Sequence, residues 1–562
     1  MWRGVVLVVL CSLTFLTGLG RTAIQDSDEA YYAEAAREMV VSGDWTTPYY
    51  NFEPRFAKPI LLYWLIAATY VVAGVGEAAA RFWPALSGLG MAVVAFLAGA
   101  RWSSRDAGLL AGVIVATSFG VVPFARQSLP DMPLAFFVTL SIWAAIEAFL
   151  PLNGSTPSAG RSRPHHWLYG SAVAAALGML MKGPVAVALL VAVLLPLVLW
   201  ERWRRTDRTL LGAIRAGHVA VAIVLFVAIA APWYVAVTFA EGPEYLRQFF
   251  VGENIDRFAT AQYNAWRGHL YLPIIVGGLL PWSAFGLLWL PALTALITGR
   301  RRFTAVERRL LCWTVGPLAF FMVSIGSQPR YILPCLVPLA ILLARTIRER
   351  ALRPGGPRDW LFLGSSMAAG LTVTTAGILM LRARPLLTAA SPDWSPIGPV
   401  AIVTAGTLVV VWALAGSRRG IPAVVGAAAA AAVMVFETAV LAPGRPEPVE
   451  VIARVVREQG GTSPVCACGA LARSLTFYTQ LKTYLAATDR GDAEVMEFLT
   501  RDERLFAAVD AQVLARVEAR LDRRFPRLAD VRYLSGNVRQ QPATLLDPDP
   551  GLVQHIILVT TQ

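Results

Sequence analysis

The chain is short of charge. Asp, Glu, Lys and Arg make up 15% of its 562 residues, while 56% are hydrophobic and the mean hydropathy is +0.54. Soluble domains are about one quarter charged, so the shortage excludes a soluble enzyme and defines an integral membrane protein. Cysteine is scarce as well, and five cysteines cannot build a disulfide framework. Cys466-Ala-Cys468 lacks the neighbouring cysteines or histidines that a zinc site needs, which leaves either a strained disulfide or two ordinary thiols. No internal repeat of the kind that marks many transporters is visible. A net charge of +13 would suit nucleic acid, but the arginines stand in short clusters between apolar runs. That is the pattern of cytoplasmic loops, and it leaves the lipid bilayer rather than nucleic acid as the partner.

What is present is a succession of apolar runs of about 17–25 residues, each sufficient to cross a hydrocarbon core. They lie near residues 4–20, 81–100, 106–125, 132–150, 167–181, 184–200, 215–239, 270–297, 309–326, 331–347, 359–381, 397–415 and 420–442. The first follows Met1-Trp-Arg3, has no small-x-small cleavage site after it, and reads as an uncleaved anchor. A further stretch, 60–75, decides the topology. Counted as a crossing, it puts Arg202, Arg204, Arg205, Arg300, Arg301, Arg302, Arg345, Arg348 and Arg350 outside; treated as an interfacial or re-entrant helix, it puts them all in the cytoplasm. The charge rule selects the second arrangement, with about thirteen spans, an inside N-terminus and an outside C-terminus.

The same arrangement collects the remaining polar segments on the outer face. They are the 21–80 loop, Arg126-Gln-Ser-Leu-Pro-Asp131, Lys182-Gly-Pro184, the 240–269 loop and Ser327-Gln-Pro-Arg-Tyr331. After Pro443-Gly-Arg-Pro-Glu-Pro448 the composition shifts. Residues 1–444 read as the membrane domain and 445–562, where helical and strand patterns alternate, as a small α/β domain outside the membrane.

Candidate site residues come from these outer segments. In Asp26-Ser-Asp-Glu-Ala-Tyr-Tyr-Ala-Glu34, Asp26 as N-cap with Glu29 three residues on resembles a capping box, which leaves Asp28 without a structural task. Asp28 is therefore the first candidate catalytic group and Glu29 the second. Tyr32 shares the helix face of Asp28 or anchors at the interface. Lys58, before Pro59, either snorkels to the headgroups or binds a lipid phosphate, and Arg55 is read the same way. Asp131, between Pro130 and Pro133, is a helix cap or a second carboxylate positioning an acceptor or a cationic sugar group. Lys182, Arg257 and His269 are solvated or interfacial groups or substrate contacts, and Arg330 with Tyr331 brings a guanidinium and a phenol to the same surface. No residues read as a metal site, and a requirement for a divalent metal stays open.

Several of these segments carry a resemblance. Asp28-Glu-Ala-Tyr-Tyr-Ala-Glu34, Arg37-Glu-Met39, Ser42-Gly-Asp-Trp45, Phe56-Ala-Lys58-Pro-Ile60 with Tyr63-Trp64, Leu280-Pro-Trp282 and Pro329-Arg-Tyr-Ile-Leu-Pro334 follow in order through residues 20–345. In this the chain resembles the C-type integral-membrane glycosyltransferases (GT-C fold), among them the aminoarabinose lipid A transferases and the protein O-mannosyltransferases. The resemblance implies a polytopic helical fold and an undecaprenyl- or other polyprenyl-phosphate sugar donor. It also implies inversion at the anomeric carbon, at the periplasmic face of a bacterial inner membrane. Lipid A or another envelope glycolipid is the first acceptor it suggests and protein Ser/Thr the second. A transporter of lipid-linked sugars is the competing class, and spans nearly free of charge weigh against it. The chain departs from the aminoarabinose enzymes at Tyr31, where they carry Arg, at Ala57, where they carry Glu, and at Arg330. These changes bear on sugar and acceptor and remove one residue that would serve as a metal ligand.

Overall fold

The computed structural model describes residues 2–150, 164–203, 214–256, 268–325, 328–352, 359–391, 393–416, 418–441, 444–468, 470–486, 491–534 and 542–562. Each expected span has a helix in its place. Eight of the described helices are long and apolar enough to cross a membrane, or nine if a bent pair counts as one span. The other expected spans are shorter or more polar: Trp2–Leu16, Arg105–Thr117, Pro164–Lys182 and Ala305–Val323. The stretch 270–297 is not one straight helix. Tyr271–Gly278 and Trp282–Ile297 meet at 113°, at a Gly277-Gly278-Leu-Leu-Pro281 break where two glycines and a proline interrupt the helical ladder.

Local signals set the helix ends. Thr304 and Glu307 form a reciprocal capping box for Ala305–Val323, and the Asp359 side chain accepts from the Phe362 amide at the start of Trp360–Arg382. Small residues set the packing. A Cβ on Gly406 would lie 2.4 Å from the Thr374 amide nitrogen, so glycine is what lets Ile397–Leu414 close onto Trp360–Arg382.

Ion pairs identify the two ends of the bundle. At one end Asp106 joins Arg3 and Arg348, Arg308 grips Glu201 at 2.7 and 2.8 Å, and Arg101 meets Glu147. At the other end the Arg81 guanidinium bonds the carbonyls of Leu19, Thr22 and Ala23. Residue 19 follows the end of the first helix and residue 81 lies in the opening turns of the next long one, Glu77–Trp102, so segment 17–76 starts and finishes at this same end. It contains Asp28–Ser42, a two-residue hairpin of β1 (Tyr49–Tyr50) and β2 (Glu53–Pro54), and the apolar helix Leu61–Ala73.

The C-terminal α/β domain is a five-stranded sheet with helices on it. Strands β3 (Val465–Cys468), β4 (Thr483–Ala486), β5 (Phe506–Asp510), β6 (Arg527–Tyr533) and β7 (Gln554–Thr560) lie in the order β4-β3-β5-β7-β6. The pairs involving β3 are parallel and those involving β7 antiparallel. Pro448–Glu458, strongly amphipathic, covers one face with Ile452 and Val456 against Phe506 and Leu558. Cys466 and Cys468 are free, buried thiols in β3.

Surface cysteines test the arrangement of segment 17–76. All five native cysteines are buried, whereas Ser42 and Arg300 are exposed. Ser42→Cys and Arg300→Cys are expected to react with an impermeant maleimide from opposite sides of sealed membranes. Labelling of both from one side would mean that Leu61–Ala73 is an extra crossing.

Candidate active site

The turn after the first helix is built to aim Asp28. Ser27, not Asp26, is the N-cap of Asp28–Ser42, its hydroxyl accepting from the Glu29 amide at 3.4 Å. Asp26 is drawn away instead by the C-terminal domain, where it accepts from the amides of Arg473 at 2.6 Å and Ser474 at 3.0 Å. Glu29 is wholly buried. It takes Arg81 at 2.7 and 2.9 Å, the Ser128 amide at 3.0 Å and the Gln25 amide at 2.9 Å. The expectation that Glu29 acts in catalysis is therefore corrected: its two oxygens are consumed in holding the loop and do not face the pocket. Asp28, one residue earlier, turns the other way.

Arg330 joins two carboxylates at the pocket. Its Nη2 lies 2.7 Å from Asp28 Oδ2 and its Nε 3.0 Å from Asp131 Oδ2. Asp131 also pairs with Lys182, whose ammonium lies 4.3 Å from the centre of the Tyr331 ring. Lys58 pairs with Glu253 and bonds the Ala57 carbonyl. Lys182 reaches this position because Pro164–Lys182 stops at Gly183, which has φ +87°. A Cβ there would lie 2.5 Å from Phe249 Cζ.

These charges stand where two chambers meet. A chamber of about 490 Å³ is lined by apolar side chains, among them Leu134, Leu189, Phe250 and Phe321. A polar one of about 90 Å³ holds Asp28, Tyr32 and Arg55. Lys58, Asp131, Lys182, Glu253, Arg330 and Tyr331 line both. An apolar hollow ending in a ring of cations suits a lipid tail with an anionic head. Burial works to raise the Asp28 carboxyl, but the Arg330 guanidinium, with Arg473 beyond it, holds it below the usual carboxylate range.

Arg55 shares the polar chamber with Lys58 and Lys182 but does not line the apolar one: its guanidinium lies 4.0 Å above the Tyr31 ring and 6.0 Å from Tyr32. His269 sits exposed on the turn Gly268–Leu270 and lines neither chamber. Arg257 lies outside the described residues. Two site residues escaped the sequence reading. Glu253 and Arg473 are identifiable only through their spatial partners, Lys58 and Asp28. Among the described residues no three His, Cys, Asp or Glu side chains group as a metal site. The two nearest carboxylates, Asp28 and Asp131, already have the Arg330 guanidinium between them. Among the described residues, this donor set does not form a site for a divalent cation.

Bundle, chambers and charged junction define the C-type class of integral-membrane glycosyltransferases, and comparison with known proteins sharpens this. The family model for dolichyl-phosphate-mannose-protein mannosyltransferases matches residues 5–244. An undecaprenyl phosphate-α-4-amino-4-deoxy-L-arabinose arabinosyl transferase of Enterobacter sp. (strain 638) is 32% identical over 418 residues, 73% of this chain and 70% of the relative. The enzyme of the same name from Pectobacterium carotovorum subsp. carotovorum (strain PC1) is 35% identical over 393 residues, 67% of this chain. The chain spans 66% of that relative's length. The fold matches the crystal structure of ArnT from Cupriavidus metallidurans bound to undecaprenyl phosphate. The TM-score is 0.73 at 21% identity, covering 99% of this chain and 98% of that one. The chain belongs to the family of these arabinosyl transferases.

The different tasks of the neighbouring carboxylates can be separated by heat. Glu29→Gln leaves Arg81 buried without its counter-charge and is expected to cost about 3–5 kcal/mol, visible as a large drop in thermal midpoint in detergent. Asp28→Asn, at a partly exposed group, is expected to stay near the wild-type midpoint. Equal losses would return Asp28 to a structural role.

Proposed function

We propose that the protein transfers a sugar from undecaprenyl phosphate to an envelope glycolipid of the lipid A class, with its site at the periplasmic face of a bacterial inner membrane. The observation that carries the reading is the cationic junction of Lys58, Lys182 and Arg330 at the head of the apolar chamber. The relatives' names supply the donor and its sugar, 4-amino-4-deoxy-L-arabinose.

A sugar on a lipid phosphate already carries its leaving group, so catalysis rests on positioning and charge. The acceptor oxygen attacks the anomeric carbon from the face opposite the phosphate. The new C–O bond forms as the bond to the phosphate oxygen breaks, which inverts the centre. The departing phosphate goes from one negative charge toward two. Lys58, Lys182 and Arg330 receive that charge as they exchange their pairs with Glu253, Asp131 and Asp28 for phosphate oxygens. Asp28, ionised at neutral pH, orients the acceptor and takes the proton when the acceptor is a hydroxyl; a phosphate acceptor arrives already ionised. Ionisable groups gathered at the two ends of the bundle, with the substrate-facing ones at a single end, rather than strung along a midplane path, support an enzyme over a transporter.

Transfer of labelled 4-amino-4-deoxy-L-arabinose from undecaprenyl phosphate to lipid A by the purified protein tests the reading. Lys58→Ala is expected to raise the donor KM roughly ten- to a hundredfold through loss of a charge-assisted contact, with the acceptor KM little changed. The pH profile checks Asp28. Because its pKa is depressed, the wild-type rate should hold as pH falls from about 7 to about 5, both above the ordinary value of about 3.9. In Arg330→Gln burial is opposed by Arg473 alone, so the acid limb should move to higher pH. No transfer to lipid A would refute the acceptor assignment, and superimposable acid limbs would refute the role given to Arg330.

A further inference from the structure

Among the described residues, the C-terminal domain reaches the site through Arg473. Arg473 precedes the short helix Ser474–Thr479, and its backbone is clamped by the loop of the membrane domain. Asp26 accepts its amide proton at 2.6 Å and the Tyr50 hydroxyl donates to its carbonyl at 3.2 Å. Asn51 and the Thr483 backbone exchange two hydrogen bonds alongside, at 2.9 and 2.8 Å. So held, the Arg473 guanidinium lies 5.1 Å from the Tyr31 ring and 3.9 Å from Asp28 Oδ1. Arg55 lies against the same ring at 4.0 Å, and its buried Nε has no hydrogen-bond partner.

Asp28 thus has cations on two sides. Its Oδ2 meets Arg330, the group at the lipid chamber, and its Oδ1 faces Arg473, from the soluble domain. The cations at the lipid chamber each face a carboxylate: Lys58 meets Glu253, Lys182 meets Asp131 and Arg330 meets Asp28. Arg473 meets Asp28 only at the longer 3.9 Å, and Arg55 lines the polar chamber with its buried Nε unpaired. These two guanidinium groups can take an anion besides the donor phosphate.

We propose that Arg55 and Arg473, both against Tyr31, form an acceptor-binding subsite that receives a phosphate monoester of the incoming glycolipid. In apo protein the long contact to Asp28 keeps Arg473 in place, and the acceptor phosphate takes over that contact. A guanidinium pair gives a phosphate bidentate hydrogen bonding, and the aromatic ring fixes both planes. The soluble domain is then part of the acceptor site. The inference rests on the proposed glycosyl transfer for the acceptor's identity, but binding can be read without turnover.

The test uses full-length protein in nanodiscs and native mass spectrometry. The probes are lipid A, the same lipid after phosphatase treatment, and undecaprenyl phosphate. Wild-type protein is expected to bind the phosphorylated lipid A about tenfold more tightly than the dephosphorylated form. Arg473→Ala should remove most of that preference and leave undecaprenyl phosphate binding unchanged, and Arg473→Lys should keep part of it. Arg55→Ala, which leaves the interdomain hydrogen bonds in place, gives the same reading should Arg473→Ala fail to fold. In turnover, the loss should appear in the acceptor KM rather than in the donor KM. Absence of the phosphate preference in wild type, or its survival in both arginine variants, overturns the subsite while glycosyl transfer can still be seen. A preference that depends on Arg473, in a protein that transfers no sugar, sustains the subsite and overturns the proposed function.

Discussion

The guanidinium of Arg81, almost wholly buried, is saturated by three backbone carbonyls, the Thr22 hydroxyl and both oxygens of Glu29. Through it the end of the first helix, the turn that follows, the start of the Asp28 helix and the long helix Glu77–Trp102 become one rigid corner. Glu29 extends the corner to the Ser128 amide, three residues before Asp131. Both site carboxylates are therefore placed from a single buried ion pair. Loss of one partner leaves an uncompensated charge, so the arrangement tolerates little play.

The second constraint is the cost of cations at the membrane boundary. A lysine or arginine within a span costs about 2.5–3.5 kcal/mol on insertion scales. Two unit charges 4 Å apart recover roughly 4 kcal/mol at an intermediate dielectric. Pairing Lys58 with Glu253 and Lys182 with Asp131 makes the cations affordable while the site is empty of substrate, and leaves them ready to exchange a carboxylate for a phosphate. The same logic explains why the opposite end of the bundle carries Asp106, Glu147 and Glu201 on its arginines.

Much of this was legible because charge stands out against an apolar background. Asp28, Lys58, Asp131, Lys182, Arg330 and Tyr331 could be singled out as polar groups at span ends, and the arginine clusters ordered the helices. What could not be read is pairing over distance. Lys58 and Glu253 are 195 residues apart, and Arg473 lies in a domain whose sequence shows no motif. Capping was assigned to Asp26 on residue type, yet a serine one position on does that work because a remote pair of amides claims the aspartate. The bend at 277–281 was missed because apolar runs report length and not direction. Arg55 and Lys58, neighbours in sequence, do share the polar chamber, but the hairpin between Tyr49 and Pro54 lays Arg55 on Tyr31 and away from the lipid chamber.

The central claim is that the apolar chamber and its cationic head hold a polyprenyl phosphate beside Asp28. An experimental structure of the protein in a lipid nanodisc with undecaprenyl phosphate tests it directly. The account predicts the phosphate within hydrogen-bond distance of Lys58, Lys182 and Arg330, with the prenyl chain along Leu134, Leu189 and Phe321. A phosphate bound elsewhere, with Lys58 still on Glu253 and Lys182 still on Asp131, would contradict it.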